Sequence, residues 1–155
     1  MPFVPRALAS SKMVQVGLVV RDIEASAKHY AAVFGVPVPG IHTTDGRDTT
    51  NMPHRGKPSD ARAKLAFFNM GSLSLELIEP VGGPSTWREF LDTKGEGVHH
   101  IAFHVPDTEA EAAALAEHGI PLVQKGDYTG GRYAYFEAEA KLAVALELLQ
   151  DVKTA

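Results

Sequence analysis

Apolar and polar residues alternate in blocks that predict strands, and two of those blocks run straight into helices. MVQVGLVV (13–20) reads as a strand and RDIEASAKHYAAVFG (21–35) as a helix. In that helix Asp22 is placed to cap the N-terminus, Ile23, Ala27, Tyr30, Ala31 and Phe34 form one apolar stripe, and Gly35 ends it. Residues 36–60 hold four prolines and three glycines with little periodicity, which predicts a long loop. Two strands follow around the Gly71-Ser72 turn, AKLAFFNM (63–70) and LSLELIEP (73–80). Residues 81–97 read as a connector with one short helix, and then the pattern restarts. VHHIAFHV (98–105) is a strand, PDTEAEAAALAEHG (106–119) a helix, and IPLVQKG, RYAYFEA and LAVALELLQ (142–150) are three more strands.

The restart is an internal repeat. QVGLVVRD (15–22) matches HIAFHVPD (100–107) at an offset of 85 residues, and LSLELIEP matches AVALELLQD (143–151), which pairs Glu76 with Glu147. The expected fold class is α+β, with two tandem modules sharing one core. The expected boundaries are an arm at 1–12, a first module with its connector at 13–94 and a second module at 95–155. The arm reads as loose, since its apolar core is too short for a secretory signal.

Strand parity singles out four residues. Gln15 and Gly17 oppose Val14, Val16, Leu18 and Val20; His100, Ala102 and His104 oppose His99, Ile101, Phe103 and Val105. Glu76 opposes Leu73, Leu75 and Leu77, and Glu147 opposes Leu142, Val144, Leu146 and Leu148. Each apolar face is expected against the helices, leaving an amide, an imidazole and two carboxylates in a shared concavity. An unpaired buried amide costs about 1–3 kcal/mol, and facing carboxylates repel unless a proton or cation lies between them. One divalent ion meets both costs, so Gln15, Glu76, His100 and Glu147 are the expected metal ligands. Without thiolates the set suits cobalt, manganese, nickel, zinc or iron, and does not decide among them.

The repeat with ligands on first and last strands resembles the vicinal oxygen chelate superfamily, which includes glyoxalase I, methylmalonyl-CoA epimerase, extradiol dioxygenases and antibiotic-resistance proteins. That resemblance implies two tandem βαβββ modules forming a curved mixed sheet around a metal cleft. LELIEP, STWREFLDTKGEGVHHIAFHV and LELLQ look most like methylmalonyl-CoA epimerase. That resemblance implies metal-ligand roles for His100, Glu147 and Glu76. Gln15 departs from it, because the epimerase pattern has histidine there, and the Gln, Glu, His, Glu set resembles certain glyoxalase I enzymes instead. The epimerase resemblance also calls for an acid in the long loop, where Asp45 and Asp48 stand without a convincing match. His99 has the wrong parity for a ligand, and His104 is placed as a supporting or substrate contact.

The expected activity is abstraction of a proton next to a carbonyl by Glu147 or Glu76, on a substrate with two vicinal oxygens such as a CoA ester. Lactoylglutathione lyase chemistry of the glyoxalase I type is the alternative enzyme, and a metal-free small-molecule binder is the alternative of another class. Arg47, Arg55, Lys57, Arg62 and Lys64 form a basic segment that either meets an anionic substrate or is a solvated loop. GDYTGGRY (126–133) lacks a phosphate-loop pattern and reads as a turn.

Composition narrows the partners. The 155 residues carry a net charge of −4, which argues against nonspecific nucleic-acid binding. No apolar run approaches the roughly 20 residues of a membrane span. With no cysteines, disulfides are excluded and a cytoplasmic location is expected. A homodimer is expected to cover the apolar edges of an open sheet.

Overall fold

The structure, a computed structural model, describes residues 7–46, 50 and 52–152. Ten strands form one curled mixed sheet, a half-barrel. The first half supplies β1 (Met13–Val19), β2 (His42–Thr43), β5 (Arg62–Asn69) and β6 (Ser74–Val81). The second supplies β7 (Gly97–His104), β8 (Leu122–Tyr128), β9 (Gly131–Phe136) and β10 (Ala145–Asp151). Within each half the first strand pairs parallel with the last, β1 with β6 and β7 with β10, and the others pair antiparallel. The halves join through antiparallel β1 and β7.

Two helices cover the convex face. In α1 (Ile23–Phe34) Asp22 accepts a hydrogen bond from Ala25 N, and Gly35 closes the helix in the left-handed conformation. Its Ile23, Ala27 and Ala31 pack on Ala66, Phe68 and Leu77. The helix of the second half, Thr108–Glu117, is capped by Asp107, and its Leu115 packs on Phe103, Phe136, Leu146 and Leu148. The arm is tied down at residues 7–9, against the loose segment expected: Ala7 and Leu8 pack against this second cluster, and Ala9 N–H donates to Glu111 at 3.0 Å.

The connector helix, Thr86–Lys94, packs apart from these two helices, in a core cluster of its own. In chain order it is α2, the helix at Thr108–Glu117 is α3, and a single turn at Glu139–Leu142 is α4. Helix α2 plugs one end of the concave face, where Trp87 and Leu91 join Val19, Ile78, Val123 and Tyr135 in a third core cluster. That end of the face is filled largely by apolar side chains.

Two local expectations are corrected. Segment 36–60 contains β2 and the short strands β3 (Pro53–His54) and β4 (Lys57–Pro58), which cross to the far edge: β3 pairs with β8 through His54 and Gln124, and β4 pairs with β3, giving the strand order β2-β5-β6-β1-β7-β10-β9-β8-β3-β4. Pro58 lies on β4, the edge strand, the place in a sheet that tolerates proline. The last strand begins at Ala145 rather than at Leu142, because α4 and a left-handed Ala143 (φ 65°) occupy the preceding residues. Among the described residues no helix is long and apolar enough to cross a membrane.

Candidate metal centre

Gln15, Glu76, His100 and Glu147 come together on β1, β6, β7 and β10, four adjacent strands of the sheet. All four are buried, His100 completely and Gln15, the most open, to 8% exposure. His100 Nε2 lies 2.9 Å from Gln15 Oε1, 2.9 Å from Glu147 Oε2 and 3.3 Å from Glu76 Oε2. The inner amide atom of Gln15 stands 2.9 Å from Glu147 Oε2 and 3.0 Å from Glu76 Oε2. Gly17, paired with His100 across β1 and β7, makes room for the imidazole, since a methyl group there would overlap the ring.

These separations can be tested against a metal ion. Bonds of about 2.1 Å set adjacent donors about 3.0 Å apart around an octahedral ion and about 3.4 Å apart around a tetrahedral one. The observed 2.9–3.3 Å fits that spacing. With Oε1 inward, Gln15 turns an amide oxygen toward two carboxylate oxygens, an arrangement that only a cation between them makes favourable; with its NH2 inward, it donates to both carboxylates and His100 instead. Glu76, His100 and Glu147 have ligand atoms all within 4.8 Å of one another, and this group could hold a metal ion.

The charges respond to crowding. Burial alone would lower the His100 imidazole, but Glu147 and Glu76 outweigh it and hold the group at about 10. Glu76 is raised, first by burial and then by the Glu147 charge, against the hydrogen bond from His100. Without a metal, the cluster therefore keeps a proton on His100 at neutral pH.

The other sequence candidates fall outside this cluster. Arg55 pairs with Glu89 at 2.9 Å and Glu137 at 3.2 Å, Arg62 donates to Thr44 O at 2.7 Å, and Lys64 pairs with Glu79 at 3.3 Å. Lys57 is exposed on β4, His104 is exposed at the end of β7, and Asp45 is exposed in the long loop. Arg47 and Asp48 lie outside the described residues.

The profile of the glyoxalase/bleomycin resistance protein/dioxygenase superfamily matches residues 14–136. The chain belongs to this superfamily. It is 26% identical over 143 residues to the uncharacterized protein YqjC of Bacillus subtilis, covering 90% of this chain and 92% of that one. It is also 26% identical over 127 residues to human mitochondrial methylmalonyl-CoA epimerase, covering 72% of this chain and 64% of that enzyme's length. A Streptomyces coelicolor methylmalonyl-CoA epimerase variant, solved in complex with 2-nitronate-propionyl-CoA, superposes with a TM-score of 0.62 at 25% identity, covering 92% of this chain and 98% of that one.

Within the superfamily fold, this chain places one residue where period-two reasoning did not. His99 was expected on the face opposite His100. Instead β7 carries a bulge, for Gly17 pairs with His100 while the next residue, Leu18, pairs with Val98. The extra residue brings His99 into contact with its neighbour, Nδ1 to Nδ1 at 3.0 Å. The doubled histidine at 99–100 was the only sequence signal for this.

Proposed function

We propose that the protein is a divalent-metal-dependent isomerase of the epimerase type, acting at a carbon next to a carbonyl, with methylmalonyl-CoA-like thioesters as its substrates. The observation that carries this reading is the convergence of two carboxylates, an amide and an imidazole at 2.9–3.3 Å in a buried site. The names of the human and Streptomyces coelicolor relatives support it. Gln15, Glu76, His100 and Glu147 would hold the ion, one of cobalt, manganese, nickel, zinc or iron. A bound ion would act as a Lewis acid, offsetting the charge that develops on a carbonyl oxygen as the adjacent carbon loses its proton.

The protein residues supply binding and proton transfer. Gln15 Oε1 and His100 Nε2 are neutral donors that leave the site's negative charge to the two glutamates. Glu76 and Glu147 each turn Oε2 into the donor cluster. Their second oxygens, Oε1, are the atoms that take the substrate proton and return it. Return to the opposite face epimerises the carbon; return to the neighbouring carbon gives a glyoxalase-type isomerisation. Helix α2 seals one end of the concavity with Trp87 and Leu91. Phe67, paired with Glu76 and 40% exposed, stands on the open side and offers an apolar contact to a substrate.

The donor set Gln, Glu, His, Glu favours a second reading, a glyoxalase I-like lactoylglutathione lyase. We also propose a homodimer, supported by the exposed apolar run of Val33, Phe34, Val36 and Val38. One experiment separates these chemistries: metal analysis of the purified protein, followed by α-carbon deuterium exchange with methylmalonyl-CoA and turnover of the methylglyoxal–glutathione hemithioacetal, with and without chelator. Chelator-sensitive exchange supports the epimerase, and turnover of the hemithioacetal alone supports the lyase. A metal-free protein that binds small molecules and is indifferent to chelator would overturn both.

A further inference from the structure

Each ligand-bearing first strand has an irregularity just before its ligand. On β1 the pairing slips between Met13 and Gln15, leaving Val14 as the extra residue; on β7 it slips between Val98 and His100, leaving His99. The two bulges are equivalent under the 85-residue repeat, yet one holds valine and the other histidine. The ligands that follow differ in the same way. Gln15 is an amide and has no tautomer to set. His100 is an imidazole, which can present Nε2 to an ion only if its remaining proton sits on Nδ1.

We infer that His99 is a positioning residue that fixes the ring plane and proton placement of His100, and that helix α2 supplies its anchor. The inference deepens the proposed function and rests on its metal centre. His100 Nε2 faces the carboxylates and the amide, so Nδ1–H donates to His99 Nδ1 across 3.0 Å. His99 must then carry its own proton on Nε2, which donates to Thr86 Oγ1 across 3.2 Å. Thr86 is the first residue of α2, and its backbone N–H is held in turn by Gln124 Oε1 at 2.8 Å. The His99 ring is 2% exposed and packs edge-on against Phe90 of α2 and against Tyr135, each at 5.3 Å between centroids. Metal-bound histidines usually donate their second nitrogen to a carboxylate or carbonyl. Here a neutral imidazole takes that place, which orients the ligand without adding a third negative charge to a site that already holds two carboxylates.

Two measurements test the inference. Long-range 1H–15N spectra of the metal-free protein should show the His99 proton on Nε2; a proton on Nδ1 overturns it. Titrations with Co2+, followed by the ion's visible absorption, then compare variants. His99→Leu should weaken uptake about 10- to 100-fold. His99→Asn, whose Oδ1 can accept the same hydrogen bond, should stay within about threefold of the parent. Both variants lose the ring contacts with Phe90 and Tyr135, so equal weakening in the two would mean a packing role and overturn the inference, as would unchanged uptake by His99→Leu. Should His99→Leu fail to fold, the Asn variant and the ring spectrum still decide. If the unaltered protein takes up neither Co2+, Mn2+, Ni2+ nor Zn2+, the proposed function fails, and the ring spectrum alone decides the role of His99.

Discussion

Metal uptake should release a proton, and pH is the perturbation that exposes it. In the metal-free protein the carboxylates of Glu147 and Glu76 hold His100 at about 10, so Nε2 is protonated at pH 7. An ion can bond to Nε2 only after that proton leaves. From about 10 down to pH 7 is roughly three units, or about 4 kcal/mol of binding free energy that goes into displacing the proton. Apparent affinity should rise about tenfold per pH unit from 7 to 9 and level off near 10. Calorimetric titration with Mn2+ or Co2+ in two buffers of different ionisation enthalpy should report about one proton released per ion at pH 7.5. The sign reverses for the metal-free fold. A histidine raised from its ordinary 6.5 stabilises the protein below pH 6.5 and loses that contribution as pH rises through about 10, so the metal-free melting temperature should fall over that range. Raised Glu76 acts in the same direction, since the folded state holds its proton longer than the unfolded chain. Affinity independent of pH between 7 and 9, with no proton released, would refute the assignment of His100 as the protonated partner of the two glutamates.

Other substitutions probe separate parts of the structure. Gly17→Ala should displace the His100 ring, abolish metal uptake and cost about 1–3 kcal/mol by overpacking, measured by denaturant unfolding beside Co2+ titration; a variant that still binds Co2+ as the parent does would contradict the ring's placement. Glu147→Gln should lower α-proton exchange about 10²–10⁴-fold and weaken metal uptake, because it removes a proton acceptor and a charged donor together; exchange at the parental rate would move the base elsewhere. Glu111→Ala should release the arm, seen as faster proteolysis before residue 13, at a stability cost of about 1 kcal/mol. Proteolysis at an unchanged rate would show that Ala7 and Leu8 hold the arm by packing alone.

Local chemistry explains why much of this was legible in the chain. Asp22 and Asp107 cap helices wherever the chain turns in after a strand, and Gly35 supplies the left-handed conformation that ends α1. The repeat singled out Gln15, Glu76, His100 and Glu147 because equivalent positions in duplicated units occupy equivalent places in one sheet, and the four do converge. His99 escaped the same logic. A period of two assumes an unbroken ladder, and a bulge depends on the partner strand, so residues 98–100 alone do not show it.

The order of apolar and polar residues was sufficient for the long strands, for helices α1, α2 and α3, and for the four polar groups that share a face, since each follows from backbone periodicity and hydrogen-bonding chemistry; it did not show β2, β3, β4 or α4. Folding in three dimensions decided the rest. It put α2 into the concavity, carried β3 and β4 across to the distant edge, tied Ala9 to Glu111, and turned His99 toward His100. Those choices depend on which surfaces meet, and the partners that decide them lie up to 102 residues apart along the chain.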